Sequence, residues 1–199
     1  MYQNSRKVKM KEDVKAQLVQ VAQEIFKKFG YKKTTMDEIA FGARKGKSSL
    51  YYYFKSKEEI YKAVVELEAS SLRTLILDAV HRVDDPKDKL RKYIVTRMLG
   101  FKKMSNFYVA IKDDYLSNLD FIESVRKKYD DEERKIVTDI LNKGIEQKIF
   151  KNLDVDLTAR ALAMIMKGLE IPLFITKEIQ DVETNVDEVL DLLFKGINY

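Results

Sequence analysis

The stretch TTMDEIAFGARKGKSSLYYYFKSK, residues 34–57, decides how the rest of this chain is read. Thr35 can cap a short helix, with Glu38 three residues on completing a capping box, and Ile39, Ala40 and Ala43 supply that helix with an apolar face. The pattern predicts an end near Ala43. Gly46 stands where a second helix should begin, and Leu50 and Phe54, four apart, give it a buried stripe. Lys47, Ser48, Ser49, Tyr51, Tyr52 and Tyr53 are left looking away from that stripe, as a surface of lysine, hydroxyl and phenol groups suited to DNA. Ser56 opens a third helix with its own capping box to Glu59.

Within this stretch, I-A-x-x-A followed by K-S-S-L-Y-x-Y-F-x-S-K-E-E-I resembles the DNA-binding domain of TetR-family transcriptional regulators. Ile39, Ala40, Ala43, Ser49, Leu50, Tyr51, Tyr53, Phe54, Ser56, Lys57, Glu58 and Ile60 match the family pattern in one register. The departures lie in the turn, where the family's usual Gly-Val-Ser is Arg44-Lys45-Gly46 and its later Gly is Ser48. A left-handed residue is often wanted there, so Arg44 must take that conformation or Gly46 must supply it.

Gly42 to Ser48 superficially looks like a phosphate-binding loop. That motif needs four residues between its glycines and a β-strand before the first, whereas here three residues intervene and the preceding segment has helical spacing.

Composition agrees with a helical DNA-binding protein. The 199 residues are 45% apolar, enough for real cores, and seven Gly with two Pro leave few breakers, which favours long helices. No stretch alternates apolar and polar residues as a strand would. With no cysteine there is no disulfide framework, thiol nucleophile or cysteine metal site; a cytoplasmic protein without metal or cofactor is expected. Residues 1–57 hold 14 Lys or Arg against 5 Asp or Glu, a net +9, so the total of +5 leaves −4 for the remainder. A basic head on a mildly acidic body suggests a polyanion partner for the head alone.

Residues 1–10 read as a flexible basic arm with no signal-peptide core. From Lys11, the positions Val14, Leu18, Val21, Ala22, Ile25, Phe26 and Phe29 step by three and four until Gly30 ends the pattern. A basic amphipathic helix can lie on a membrane, but Ile39, Leu50 and Phe54 need this face to form a core. The DNA-binding domain is thus placed at 11–57, with the start of a linker helix to about residue 71. That helix is halted by Asp84-Asp85-Pro86, with Asp85 as cap and Pro86 at the first position of the next helix. His81, the single histidine, has no ligand-type neighbours in sequence and is read as an ordinary side chain. A charged helix follows over 119–150, breaking around 148–154.

Residues 72–199 are read as the body, a ligand-binding and dimerisation domain; the whole is expected to be all-α with about nine helices. Met98, Phe101, Met104, Tyr108 and Tyr115, with Met164, form a soft apolar set edged with phenols. Such side chains fill ordinary cores; because the resembling family places its inducer pocket in this part of the chain, they are also the candidate lining for a lipophilic effector. The segment 156–175 is apolar on nearly all sides, yet its longest apolar run is Ala161–Met166, too short to span a bilayer. Such a helix must bury a second face on something else. Val189, Leu190, Leu193 and Phe194 repeat the problem near the C-terminus, and TetR-like proteins join their last two major helices across a twofold axis. These residues are therefore the expected homodimer interface.

On the DNA side, Lys47 and Ser48 begin the recognition helix, where side chains reach base edges in the major groove. Lysine can donate to guanine O6 and N7, while a serine hydroxyl discriminates little. Ser49, Tyr51 and Tyr53 match family positions that contact phosphates, Tyr52 is placed to meet a base, and Thr35 is counted with the DNA-facing residues. Lys57 adds charge at a helix start that favours a phosphate. The resemblance thus implies a dimeric regulator of a palindromic site, a repressor released by a small molecule. An enzyme lacks support, since no HExxH, GxSxG or glycine-rich phosphate loop occurs. An architectural DNA-binding dimer without effector is the alternative, and preference for one palindrome separates the two.

Overall fold

A computed structural model of the chain describes residues 2–104, 106, 119–175 and 182–197, and every described element is a helix apart from turns and an isolated bridge residue, Phe150. Eight helices are described: α1 (Tyr2–Lys33), α2 (Met36–Gly42), α3 (Lys47–Tyr53), α4 (Lys57–His81), α5 (Pro86–Lys103), α6 (Leu119–Glu146), α7 (Val155–Ile175) and α8 (Val182–Ile197). The arm expected over residues 1–10 is helical from Tyr2 and continuous with α1, a correction to its reading as flexible chain. Gly30, at φ 79° and ψ 160°, interrupts α1 where the sequence pattern stops, and a single further turn follows. Two further helix starts follow their caps. The Asp85 carboxylate accepts from the Lys87 and Asp88 amides at 2.8 and 3.2 Å, and Asp154 accepts from the Leu157 amide at 2.9 Å.

The chain divides into two compact units. Unit 1 runs from the N-terminus to Ala69 and takes in a later segment that includes Asn106; unit 2 comprises Ser70–Met104 and the chain from Glu123 onward. The sequence reading assigned all of 72–199 to the body, and Asn106 departs from it. Its side chain, only 2% exposed, donates to the Glu68 carboxylate at 2.8 Å and to the Gln23 carbonyl at 3.2 Å. Its own carbonyl accepts from the buried Tyr61 hydroxyl at 2.7 Å, and the Gln23 amide also donates to Glu68. A buried carboxylate is tolerable only with such donors around it.

The core of unit 1 is built where α1 meets the helix-turn-helix pair and the start of α4. Leu18, Ala22, Ile39, Leu50, Ile60, Val64 and Val65 are fully buried. Phe26, Tyr31 and Tyr61 form an aromatic cluster with centroids 4.8–5.8 Å apart. A Cβ at Gly42 would lie 3.1 Å from both Val21 and Ile25, so this glycine lets α2 approach α1.

In unit 2, α5 packs against α7 and α8. The Arg91 guanidinium grips the Asp187 carboxylate at 2.6 and 2.8 Å, joining α5 to α8; this hydrogen bonding pushes the arginine above its usual range. The buried Arg97 pairs with Glu133 at 2.6 Å, and Glu133 also accepts from the Tyr93 hydroxyl at 2.9 Å. Burial, and then the Glu133 charge, push the Tyr93 phenol well up. After α6, Lys148 takes a left-handed φ of 57° and folds Phe150 back so closely that a Cβ on Gly144 would meet its ring at 2.0 Å.

Candidate nucleic-acid interface

The turn between α2 and α3 closes as a Schellman motif. The Lys45 amide donates to the Ala40 carbonyl at 2.9 Å and the Arg44 amide to Phe41 at 3.0 Å. Arg44 takes the left-handed conformation, φ 53°, while Gly46 is extended at φ −67° and serves as the N-cap of α3. Of the two residues on which the turn could depend, the structure uses the arginine.

The Thr35–Glu38 capping box forms as predicted, whereas at Ser56 only the hydroxyl half of the expected box forms and the Glu59 carboxylate caps the residue before it. The Thr35 hydroxyl oxygen accepts from the Glu38 amide at 3.3 Å, and the Glu38 carboxylate accepts from the Thr35 amide at 2.7 Å. Glu59 takes the Lys55 amide at 2.7 Å while donating its own amide to Ser56 at 3.2 Å. Leu50 and Phe54, 0% and 3% exposed, hold α3 on the core, each burial contributing about 1.5–3 kcal/mol. With that stripe fixed, Lys47, Ser48, Tyr51 and Tyr52 are exposed, and Ser49 and Tyr53 are half-buried.

Two lysines are drawn into this surface. Lys11 of α1 donates to the Tyr52 hydroxyl at 2.7 Å, a bond that raises its pKa, and Tyr52 packs edge-on against Tyr53 at 5.0 Å. Lys47 reaches back to Asp37 on α2, 2.8 and 2.9 Å from its two carboxylate oxygens; this hydrogen bond and the Asp37 charge raise the lysine above its usual range. Sequence reasoning missed Lys11 and Asp37, whose proximity to α3 appears only once the turn is folded. It also missed Phe41, 85% exposed on α2.

Lys57 is placed differently from its expected phosphate contact. Its ammonium turns inward on the corner between α1 and α2, donating to the carbonyls of Tyr31 and Thr34 at 2.8 and 2.9 Å and of Lys32 at 3.4 Å. It also lies 4.4 Å from the centroid of the Tyr31 ring.

Comparison with known proteins settles what this arrangement belongs to. Residues 18–64 match the family model for bacterial regulatory proteins of the tetR family. Over 155 residues, 73% of this chain and 74% of the other, the sequence is 30% identical to the HTH-type transcriptional repressor KstR2 of Mycobacterium tuberculosis. The chain belongs to the TetR family. A solved structure of a transcriptional regulator from Cytophaga hutchinsonii superposes with a TM-score of 0.77 at 28% identity, covering 92% of this chain and 97% of that one. The solved ketosteroid transcriptional regulator KstR2 superposes with a TM-score of 0.62 at 22% identity, over 93% and 95%. This TetR-family chain is an all-helical transcriptional regulator with an N-terminal helix-turn-helix.

The residues expected in the body of this TetR-family protein scatter. Met98 and Met104 are 1% and 5% exposed. Phe101 lies in α5 with its side chain outside the described set, and Tyr108 and Tyr115 fall outside the described residues. Met164 does not join a lining: at 74% exposure it stands on α7 beside Ile165 and about two helix turns beyond Leu157, both also exposed. Leu190 is likewise corrected. It is 2% exposed within the single chain, because the Val186–Leu190 face is spent inside unit 2, where α8 packs on α5. Phe194 stacks on Phe150 at 6.2 Å; Val189 and Leu193 are half-buried, and Leu192, 71% exposed, is the large apolar side chain that α8 leaves open among the described residues. Among the described residues, no group of three His, Cys, Asp or Glu is placed to hold a metal ion, and no helix is long and apolar enough to cross a membrane.

Proposed function

We propose that this TetR-family regulator is a repressor that binds a palindromic duplex as a homodimer and is released by a small lipophilic effector, acting by binding rather than catalysis. The observation that carries the DNA half is the α3 surface: Lys47, Ser48, Tyr51 and Tyr52 stand exposed on a helix held down by Leu50 and Phe54. Lys47, Ser48 and Tyr52 are the base-reading positions, and Thr35, Ser49, Tyr51 and Tyr53 the positioning ones. Lys57 acts indirectly, by fixing the corner from which α2 departs.

Exposed apolar residues on α7 and α8, among them Leu157, Ile165 and Leu192, support the dimer. Twofold symmetry then calls for half-sites about one helical turn apart, or a multiple of it. The relative KstR2, described as a ketosteroid regulator, supports a lipophilic effector, as does the methionine-rich interior with Met98 and Met104. The test is selection of duplexes from a random pool by the purified protein. One palindrome should be preferred over scrambled DNA by on the order of 10³ at physiological salt. Fluorescence anisotropy on that palindrome, titrated with fatty acids, acyl thioesters, bile acids and cationic dyes, then looks for release. Equal affinity for all duplexes would leave only an architectural DNA-binding role.

A further inference from the structure

Asp37 is an acidic residue on a surface meant for a polyanion. It is 62% exposed in its side chain, on the side of α2 away from the core, and its carboxylate brackets the Lys47 ammonium at 2.8 and 2.9 Å. The Schellman turn fixes the start of α3 relative to α2, which brings the Lys47 stem within reach of the Asp37 carboxylate.

We propose that Asp37 is a specificity-determining residue, reserving the Lys47 ammonium for neutral acceptors on base edges and turning it away from phosphates; this rests on the reading of α3 as the base-reading helix. A lysine on a four-carbon stem is a point charge that takes any acceptor in reach, and phosphates are the most abundant. With a carboxylate beside it, a phosphate that approaches the ammonium also meets a like charge at nearly the same distance, which largely cancels the attraction. Guanine O6 and N7 carry only partial negative charge and meet a much weaker repulsion, while an ammonium keeps three donors to share between Asp37 and a base. The pair carries no net charge, so it adds little to sequence-independent binding while still contributing a directed donor.

The experiment starts from the duplex selected by the wild-type protein and a scrambled duplex of the same composition, with affinities measured over a salt series. Asp37→Asn keeps the size of the side chain and removes its charge. It should tighten binding to the scrambled duplex about fivefold, tighten the selected duplex less, and steepen the salt slope on scrambled DNA by about one unit. Asp37→Glu should restore the wild-type ratio in large part. In a Lys47→Met background, Asp37→Asn should strengthen both duplexes alike, since no ammonium remains to be directed. If Asp37→Asn strengthens both duplexes by one factor while Lys47 is present, or changes neither the ratio nor the slope, Asp37 is background charge and the proposal is overturned. A wild-type protein that selects no duplex overturns the base-reading assignment of α3 itself, an outcome visible before any variant is made.

Discussion

The Lys57 ammonium donates to the Thr34 carbonyl at 2.9 Å, tying the first turn of α4 to the residue just before the cap of α2. The Tyr31 carbonyl takes a second bond at 2.8 Å. Hydrogen bonds to a charged group contribute about 1.5–3 kcal/mol, so Lys57→Ala should lower unfolding stability by that order, read from a urea midpoint. Its effect on DNA should be uniform across sequences, because no base contact is removed. A variant with unchanged stability but altered base preference would contradict this.

The buried hub of unit 1 gives a second prediction. Asn106→Ala removes donors to Glu68 and to the Gln23 carbonyl, and Glu68→Ala removes the acceptor shared by Asn106 and Gln23. Each should cost about 1–3 kcal/mol. The double variant should cost clearly less than the sum, since both changes break one network. Strict additivity in denaturant melts would show that the two residues do not interact.

Arg44 supplies a stabilising substitution. A left-handed φ of 53° is unfavourable for a residue with a Cβ, and glycine takes it freely. After allowance for the greater freedom of glycine in the unfolded chain, Arg44→Gly should gain up to about 1 kcal/mol. Thermal denaturation would register it as a higher midpoint, and a fall would mean that the arginine side chain does more for the turn than its backbone costs.

Neighbouring leucines on α8 should behave in opposite ways. Leu192→Asp places a charge at a position 71% exposed in the single chain, so the subunit should fold with its helical spectrum intact but sediment as a monomer. Leu190→Asp buries the charge inside unit 2 and should prevent folding. Folded Leu192→Asp protein that remains dimeric would move the interface elsewhere.

The helix-turn-helix was legible in the sequence because its determinants are local. A capping box links residues three apart, and the Leu50–Phe54 stripe follows from helical spacing alone. What escaped depends on residues brought together from afar. The carbonyls that capture Lys57 lie 23 to 26 residues back, and nothing in the composition of α4 points its first lysine inward. Periodicity also found the apolar stripe of α8 without saying what covers it: Val186 and Leu190 are used within the chain, while Leu192, off the main stripe, is left open. Met164 was grouped with the interior by residue type, and type is silent about which side of α7 it occupies.

Asn106 makes the DNA-binding half of this protein discontinuous along the gene. A cassette ending at Ala69, grafted onto a foreign body, would carry Glu68 and Tyr61 without the residue that donates to one and accepts from the other. Recombination that exchanges heads between regulators of this kind would therefore have to import a compatible side chain from the recipient, or leave behind a weakened hub.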